Sequence, residues 1–179
     1  KADQLKQQAK AQQKSLEQLV ELTKRFYLEQ KAEQLVEKLD KLADKQDKLS
    51  DKNSNSLEEQ QKLSKEFDAI KNELNELEKE NKELKAPMDI PNDKGDQQDV
   101  DQQQQKAEDN LQKNNTSAAK KNQKSAAQKM KEMGKKISNS MSTGEMAENA
   151  EDAKALRQIL DNLLTFSFDE EKLLKQFKQ

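Results

Sequence analysis

Apolar side chains in this sequence recur every three or four residues over long stretches, and almost nothing interrupts them. From Leu28 the positions Leu28, Ala32, Leu35, Leu39, Leu42 and Leu49 alternate in steps of four and three, with Gln46 filling the one missing step. Such spacing keeps one stripe on one side of a helix and is the seam of a coiled coil. No Gly or Pro lies between Lys1 and Ser50, so a single helix over about 1–50 is expected. Upstream, Leu5, Ala9, Leu16, Leu19, Leu22 and Phe26 hold the spacing less strictly, and the two registers meet near Phe26 and Tyr27.

The run Ser50-Asp-Lys-Asn-Ser-Asn-Ser56 gathers turn and cap residues, and Glu59 stands three positions after Ser56. That is a capping-box spacing and predicts a second helix over about 57–85. Its seam is Leu63, Phe67, Ile70, Leu74, Leu77, Asn81 and Leu84. Two seams joined by a short turn predict an antiparallel helical hairpin over 1–85. At 1.5 Å per residue the first helix reaches roughly 75 Å and the second roughly 40 Å, so the first overhangs. Polar Gln46 and Asn81 within these seams fix register or oligomer state, or, for Asn81, mark a water-exposed frayed end.

Pro87 and Pro91 end the second helix and predict a linker over 86–98. A third, Gln- and Asn-rich helix is expected over 99–141, with the stripe Val100, Ala107, Leu111, Ala118, Ala126, Met130, Met133, Ile137 and Met141. Its small residues imply close packing. Ser142-Thr-Gly144 predicts a break before a C-terminal helical cluster over 145–179. There Ala153, Leu156, Ile159, Leu160, Leu163 and Leu164 precede Phe166, Phe168, Leu173, Leu174 and Phe177, the densest apolar patch in the chain. Ser167 followed by Glu170 predicts a separate terminal helix from about Phe168. The expected cover for this patch is the overhang around Phe26 and Tyr27. The fold class is therefore all-α: an elongated antiparallel coiled-coil hairpin, a third long helix and a compact C-terminal helical cluster.

Composition agrees with helices and removes most catalytic chemistry. The 179 residues are 38% charged and 31% hydrophobic, with no Cys, His or Trp. A thiolate nucleophile, a His base, a Cys/His zinc site and a disulfide are all excluded within this chain. Carboxylates abound, yet none has a Gly-rich loop, a His or a convergent pocket signal beside it, so no catalytic, cofactor-binding or metal residues are assigned. The absence of Cys fits any compartment. No run of 18 apolar residues exists, so no segment inserts in a membrane. Without an initiator Met or a signal-type run, the chain reads as a piece of a longer protein.

Charge is uneven. The stretch 113–136 holds eight Lys and one acid, a local charge of +7, while 58–83 holds nine acids and five Lys, a local charge of −4. The basic stretch either binds an acidic partner, with Lys120, Lys121 and Lys124 as candidates, or anionic lipid head groups, for which its apolar face lacks the expected Trp or Phe, or simply balances the second helix. Nucleic acid is a poor fit, because the stretch has no Arg to fork onto phosphate and no aromatic to stack on a base. Met130, Met133, Met141 and Met146 either fill a core or form an adaptable groove.

The string Ala-Leu-Arg-Gln-Ile-Leu-Asp-Asn-Leu-Leu at 155–164, followed by Ser-Phe-Asp-Glu-Glu at 167–171, resembles a family of large, membrane-anchored, coiled-coil-rich envelope proteins of Gram-negative bacteria. Lys-Leu-Ala-Asp-Lys-Gln (41–46), Leu-Ser-Lys-Glu-Phe-Asp (63–68), Asn-Leu-Gln-Lys-Asn-Asn (110–115) and Ala-Ala-Gln-Lys-Met-Lys-Glu-Met (126–133) are similar to its helical region. The family's function is not known, so the resemblance implies no activity and no binding residues. It implies a periplasmic location and a membrane anchor elsewhere in the longer chain.

The expected role is a non-enzymatic coiled-coil spacer or docking arm that binds protein partners through helix faces. The residues expected to dock are Phe166, Phe168, Leu173, Leu174 and Phe177. A holdase-type periplasmic chaperone is the rival. Because the seam from Leu63 to Leu84 can pair within one chain or between two, a homo-oligomer stays open.

Overall fold

Every described element is an α-helix, and the capping residues explain where each begins. In the computed structural model the order is α1 (Ala2–Asp51), α2 (Leu57–Lys82), α3 (Lys94–Gln112) and α4 (Thr116–Phe177). The structure describes the backbone at 2–52 and 56–177, and side chains at 6–7, 9–52, 56–143, 156–160 and 162. Ser56 caps α2, its hydroxyl accepting from the Glu59 amide at 3.1 Å, and Glu58 and Glu59 complement the helix dipole. Asp93 caps α3 by accepting from the Gly95 and Asp96 amides, so that helix begins at Lys94 instead of in the expected region near residue 99. The second helix likewise stops at Lys82, short of residue 85.

The expected third helix is two helices. Lys113, Asn114 and Asn115 separate α3 from α4, and Asn114 takes a φ of 57°. Asn enters this left-handed region more readily than most residues, which makes it a helix stop when Gly is absent. The Asn115 amide returns to the Asn110 carbonyl at 2.8 Å, and the Asn115 side chain accepts from the Ala118 amide as a new cap. The break shifts the helical phase, so Ala119 is buried where Ala118 was expected to be.

By contrast, the breaks expected at Ser142–Gly144 and before Phe168 are absent, and α4 runs to Phe177. Ser142 donates to the Ser138 carbonyl and Thr143 to the Asn139 carbonyl, so both hydroxyls are satisfied inside the helix. A helical Gly costs only about 1 kcal/mol relative to Ala, too little to stop a helix that is held elsewhere. The C-terminal segment is therefore the continuation of α4, although residues 144–179 group with 1–27 and not with 28–143.

The chain divides into two compact units, residues 28–143 and residues 1–27 with 144–179. In the first of these, four helical segments pack around one core. Lys31, Lys38, Lys45 and Lys52 of α1 meet Glu80, Glu73, Glu66 and Glu59 of α2 at 2.8, 2.5, 2.6 and 2.7 Å. Seven residues forward on α1 match seven backward on α2, so the hairpin is antiparallel and in heptad register. Asp44 and Asp51 of α1 meet Lys131 and Lys124 of α4 at the same step. Lys71 of α2 bonds Asp101 of α3, and Lys129 and Lys136 of α4 bond Asp99 and Asp96 of α3. Each neighbouring pair is antiparallel.

Leu28, Ala32, Leu35, Leu39 and Leu42 face Leu63, Phe67, Ile70, Leu74 and Leu77 in this core, joined by Val100, Ala126, Ala127, Met130, Met133 and Ile137. Small residues on α4 let α1 come close. An added Cβ at Gly134 would stand 3.5 Å from the Asp40 carboxylate and 3.7 Å from Val36, ordinary van der Waals contact. Gly134→Ala is thus expected to raise stability by about 1 kcal/mol through helix propensity, visible as a higher Tm; a lower Tm would show that α1 and α4 tolerate no methyl there.

One layer of this core is polar. Gln46, Gln60, Gln104 and Gln123, one from each helix, are all buried to 2% exposure or less. Gln46 and Gln60 exchange amide bonds at 2.7 and 3.2 Å, while Gln104 donates to Gln46 and Gln123 to Gln60. At the other end, loop 83–93 is fastened by Asn81, whose side chain donates to the Met88 carbonyl and accepts from its amide at 2.7 and 2.9 Å. Asn81 is buried and bonded, not a frayed end. Asn92 adds bonds to Asn75 and Glu78.

Residues 1–27 and 144–179 form the other unit, a pair of helical segments. Ile159 is buried there, and the Asn162 amide donates to the Ser15 hydroxyl at 2.9 Å. Ser15 in turn donates to the Ala11 carbonyl.

Candidate protein-docking surfaces

Where large apolar side chains meet solvent, they do so in one unit only. Leu16, Leu19, Val20, Phe26, Tyr27, Leu156 and Leu160 are 41–62% exposed and all lie within 1–27 and 144–179. Among the described residues, unit 28–143 has no exposed large apolar side chain. The seven form a pattern. At 100° per residue, Leu16, Leu19, Val20, Phe26 and Tyr27 fall within one stripe about 120° wide on α1.

This overturns the upstream seam read from the sequence. Leu16, Leu19 and Phe26 were expected to face a partner helix, but Ser15 is the buried residue and Leu22 is only half-buried. Phe26 and Tyr27, at the end of the overhang, are 62% and 56% exposed, while residues 1–27 as a whole group with 144–179. The patch residues Phe166, Phe168, Leu173, Leu174 and Phe177 lie outside the described side chains, although the backbone there is helical. The signal that would have found the exposed stripe is Val20: with Leu16, Thr23 and Tyr27 it makes a second heptad row beside the one through Ser15 and Leu22.

The electrostatic candidates divide. Lys124 pairs with Asp51 at 3.1 Å, Lys120 is half-buried and Lys121 is exposed. Lys129, Lys131 and Lys136 also meet aspartates. Four lysines of the basic stretch are thus matched by Asp of α1 and α3, while the glutamates Glu59, Glu66, Glu73 and Glu80 of α2 engage α1.

These pairs shift their own titrations. Hydrogen bonds from Lys131, Lys129 and Lys52 hold the carboxyls of Asp44, Asp99 and Glu59 below their ordinary values of 3.8, 3.8 and 4.5. Asp51 and Asp99 raise Lys124 and Lys129 above 10.5. A lowered carboxyl contributes stability that is present above its unfolded pKa and lost as pH falls through the folded one. A raised ammonium contributes below 10.5 and loses it as pH climbs through the folded value. Thermal melts are therefore expected to be flat between about pH 5 and 10 and to fall below about pH 4; an unchanged Tm at pH 2.5 would count against the ion-pair ladders.

A shallow groove of about 340 Å³ lies between α1 and α2, floored by Leu49 and Leu63 and flanked by Lys45, Lys48, Lys52 and Lys62. Glu66 and Glu59 occupy two of those four lysines, which leaves little to orient a small molecule. Among the described residues, no group of three acidic, His or Cys side chains could hold a metal ion, and no helix is long and apolar enough to cross a membrane. Comparison of the chain with protein-family models, with curated proteins and with solved structures found no match.

Proposed function

We propose that this chain is a non-enzymatic structural segment: residues 28–143 serve as a self-contained helical spacer, and the apolar face of residues 1–27 and 144–179 docks a protein. The observation that carries this is the segregation of exposed apolar side chains. The spacer unit has its core filled and its charged faces cross-paired, so it offers little for a partner to gain by burial. Among its described residues, the other unit leaves seven large apolar side chains in water. Contiguous apolar area of that size marks an interaction surface.

The likeness of 155–164 and 167–171 to an envelope protein family supports a place on the periplasmic side of a Gram-negative envelope, with a membrane anchor in another part of a longer chain. The chaperone alternative leaned on adaptable methionines, and Met130 and Met133 are buried in the core. Met141 packs half-buried against that core, and Met146 lies outside the described side chains. Suppressed aggregation of an unrelated unfolded protein at near-equal ratio would favour the chaperone over dedicated docking.

The test is a photo-crosslinker placed at Val20 or Leu160 in the native cells, with Lys62 as a control site on the spacer. One stoichiometric adduct from the first two positions is expected. Equal labelling from all three sites would remove the docking reading.

A further inference from the structure

Resting on that docking reading, we propose that the occupant of the apolar face is a second copy of this chain, so that two helix pairs close face to face into a four-helix packing. The geometry of one copy supplies the first argument. On α1, Ser15 and Leu22 turn toward α4, and the row Leu16, Val20 and Tyr27 stands roughly 130° further round. On α4, Ile159 is buried, and Leu156 and Leu160 stand roughly 60° and 100° round from it in the same sense. Helices that run in opposite directions and turn the same way from their seam bring both rows to the same side. Ser15 lies opposite Asn162, so Leu16 neighbours Leu160 and Val20 neighbours Leu156. The result is one broad apolar face built from two helices.

Area supplies the second argument. Seven side chains about half exposed, at roughly 150–200 Å² each when free, leave on the order of 600 Å² of apolar surface on one copy. A homodimer interface is about 65% apolar, so this corresponds to about 900 Å² per copy with its polar rim. A stable interface of ordinary size needs about 800 Å² per partner. The face is therefore large enough for a self-complementary dimer about a two-fold axis. Residues 28–143 show the same logic within one chain, because heptad stripes there are covered only when four helices meet.

The experiment is sedimentation equilibrium of the 179-residue protein and its variants, with far-UV circular dichroism to confirm helix content. The wild type is expected to be a dimer at about 0.1 mM, and Val20→Lys or Leu160→Lys is expected to raise the dissociation constant roughly 30-fold or more. Both positions are more than half exposed in one copy, so neither change should cost the fold. Thr23→Leu adds apolar surface at the centre of the stripe and is expected to tighten association. A monomeric wild type, or a mass unmoved by all three variants, overturns the proposal. If the wild type is monomeric but residue 20 still cross-links one other protein in cells, self-pairing falls and the docking reading stands.

Discussion

Phe67→Ala is expected to lower the unfolding free energy of residues 28–143 by about 3–5 kcal/mol. Phe67 is fully buried at the centre of α2, inside the cluster that includes Leu39, Leu74 and Met130. Truncation removes the transfer free energy of the ring and leaves a void that rigid helices on every side cannot close. The ring also lies under Lys71, whose ammonium stands 5.4 Å from its centroid while bonding Asp101. That contact ties the α2 core to the α2–α3 ion pair, so the variant should loosen α3 as well. For a unit of this size the loss corresponds to a drop of roughly 10–20 °C in Tm. Urea denaturation gives the free energy directly, and a loss under about 1 kcal/mol would mean that the four helices collapse onto the vacancy.

The glutamine layer gives the second large effect, and its sign should depend on how many members are replaced. Gln60 is the hub: its carbonyl accepts from Gln46 and Gln123, and its amide donates back to Gln46. Gln60→Leu removes the acceptor of two buried amides at once. At about 1–3 kcal/mol for each buried hydrogen bond lost in this way, the single variant should be about 2–4 kcal/mol less stable. Replacing Gln46, Gln60, Gln104 and Gln123 together by Leu removes donors and acceptors alike and should restore stability or exceed it. The cost of the fourfold change is expected in uniqueness, because an all-apolar layer no longer penalises a slipped register. Cross-links between Lys52 and Lys62 and between Lys124 and Lys48 would read the slippage. A single variant as stable as the wild type, or a fourfold variant less stable than the single, would sink this account.

Some of the architecture was legible because local rules and burial agreed. The seam Leu28 to Leu49, the seam Leu63 to Leu84 and the Ser56 cap are all where the spacing placed them. Gln46 interrupts its seam as a buried, bonded residue, and its partners Gln60, Gln104 and Gln123 could not be chosen from a chain with so many glutamines. The Asn114 stop was hidden for a similar reason, since Lys113-Asn-Asn-Thr116 in a polar helix differs little from its surroundings. Ser142-Thr-Gly144 read as a break because hydroxyl and glycine residues are weak helix formers, yet their penalty is small beside the burial that holds α4 upstream.

The candidate site was read less well. Leu16, Leu19 and Phe26 carry apolar spacing, but spacing records only that a stripe exists, not whether a neighbouring helix covers it. Val20 and Tyr27 widen that stripe, and the choice between its two edges is made by Asn162 reaching Ser15.

By itself the sequence determined that the chain is all-helical, that its first two helices carry heptad seams, and that this chain has no Cys or His side chain, because these follow from residue type and period alone. Only the tertiary structure decided that four helical segments enclose one core, that four glutamines converge, and that the lysines of α4 answer to aspartates of α1 and α3. Those outcomes depend on which faces meet at long range, where many pairings of like helices satisfy the same local pattern and only simultaneous burial and hydrogen bonding selects one.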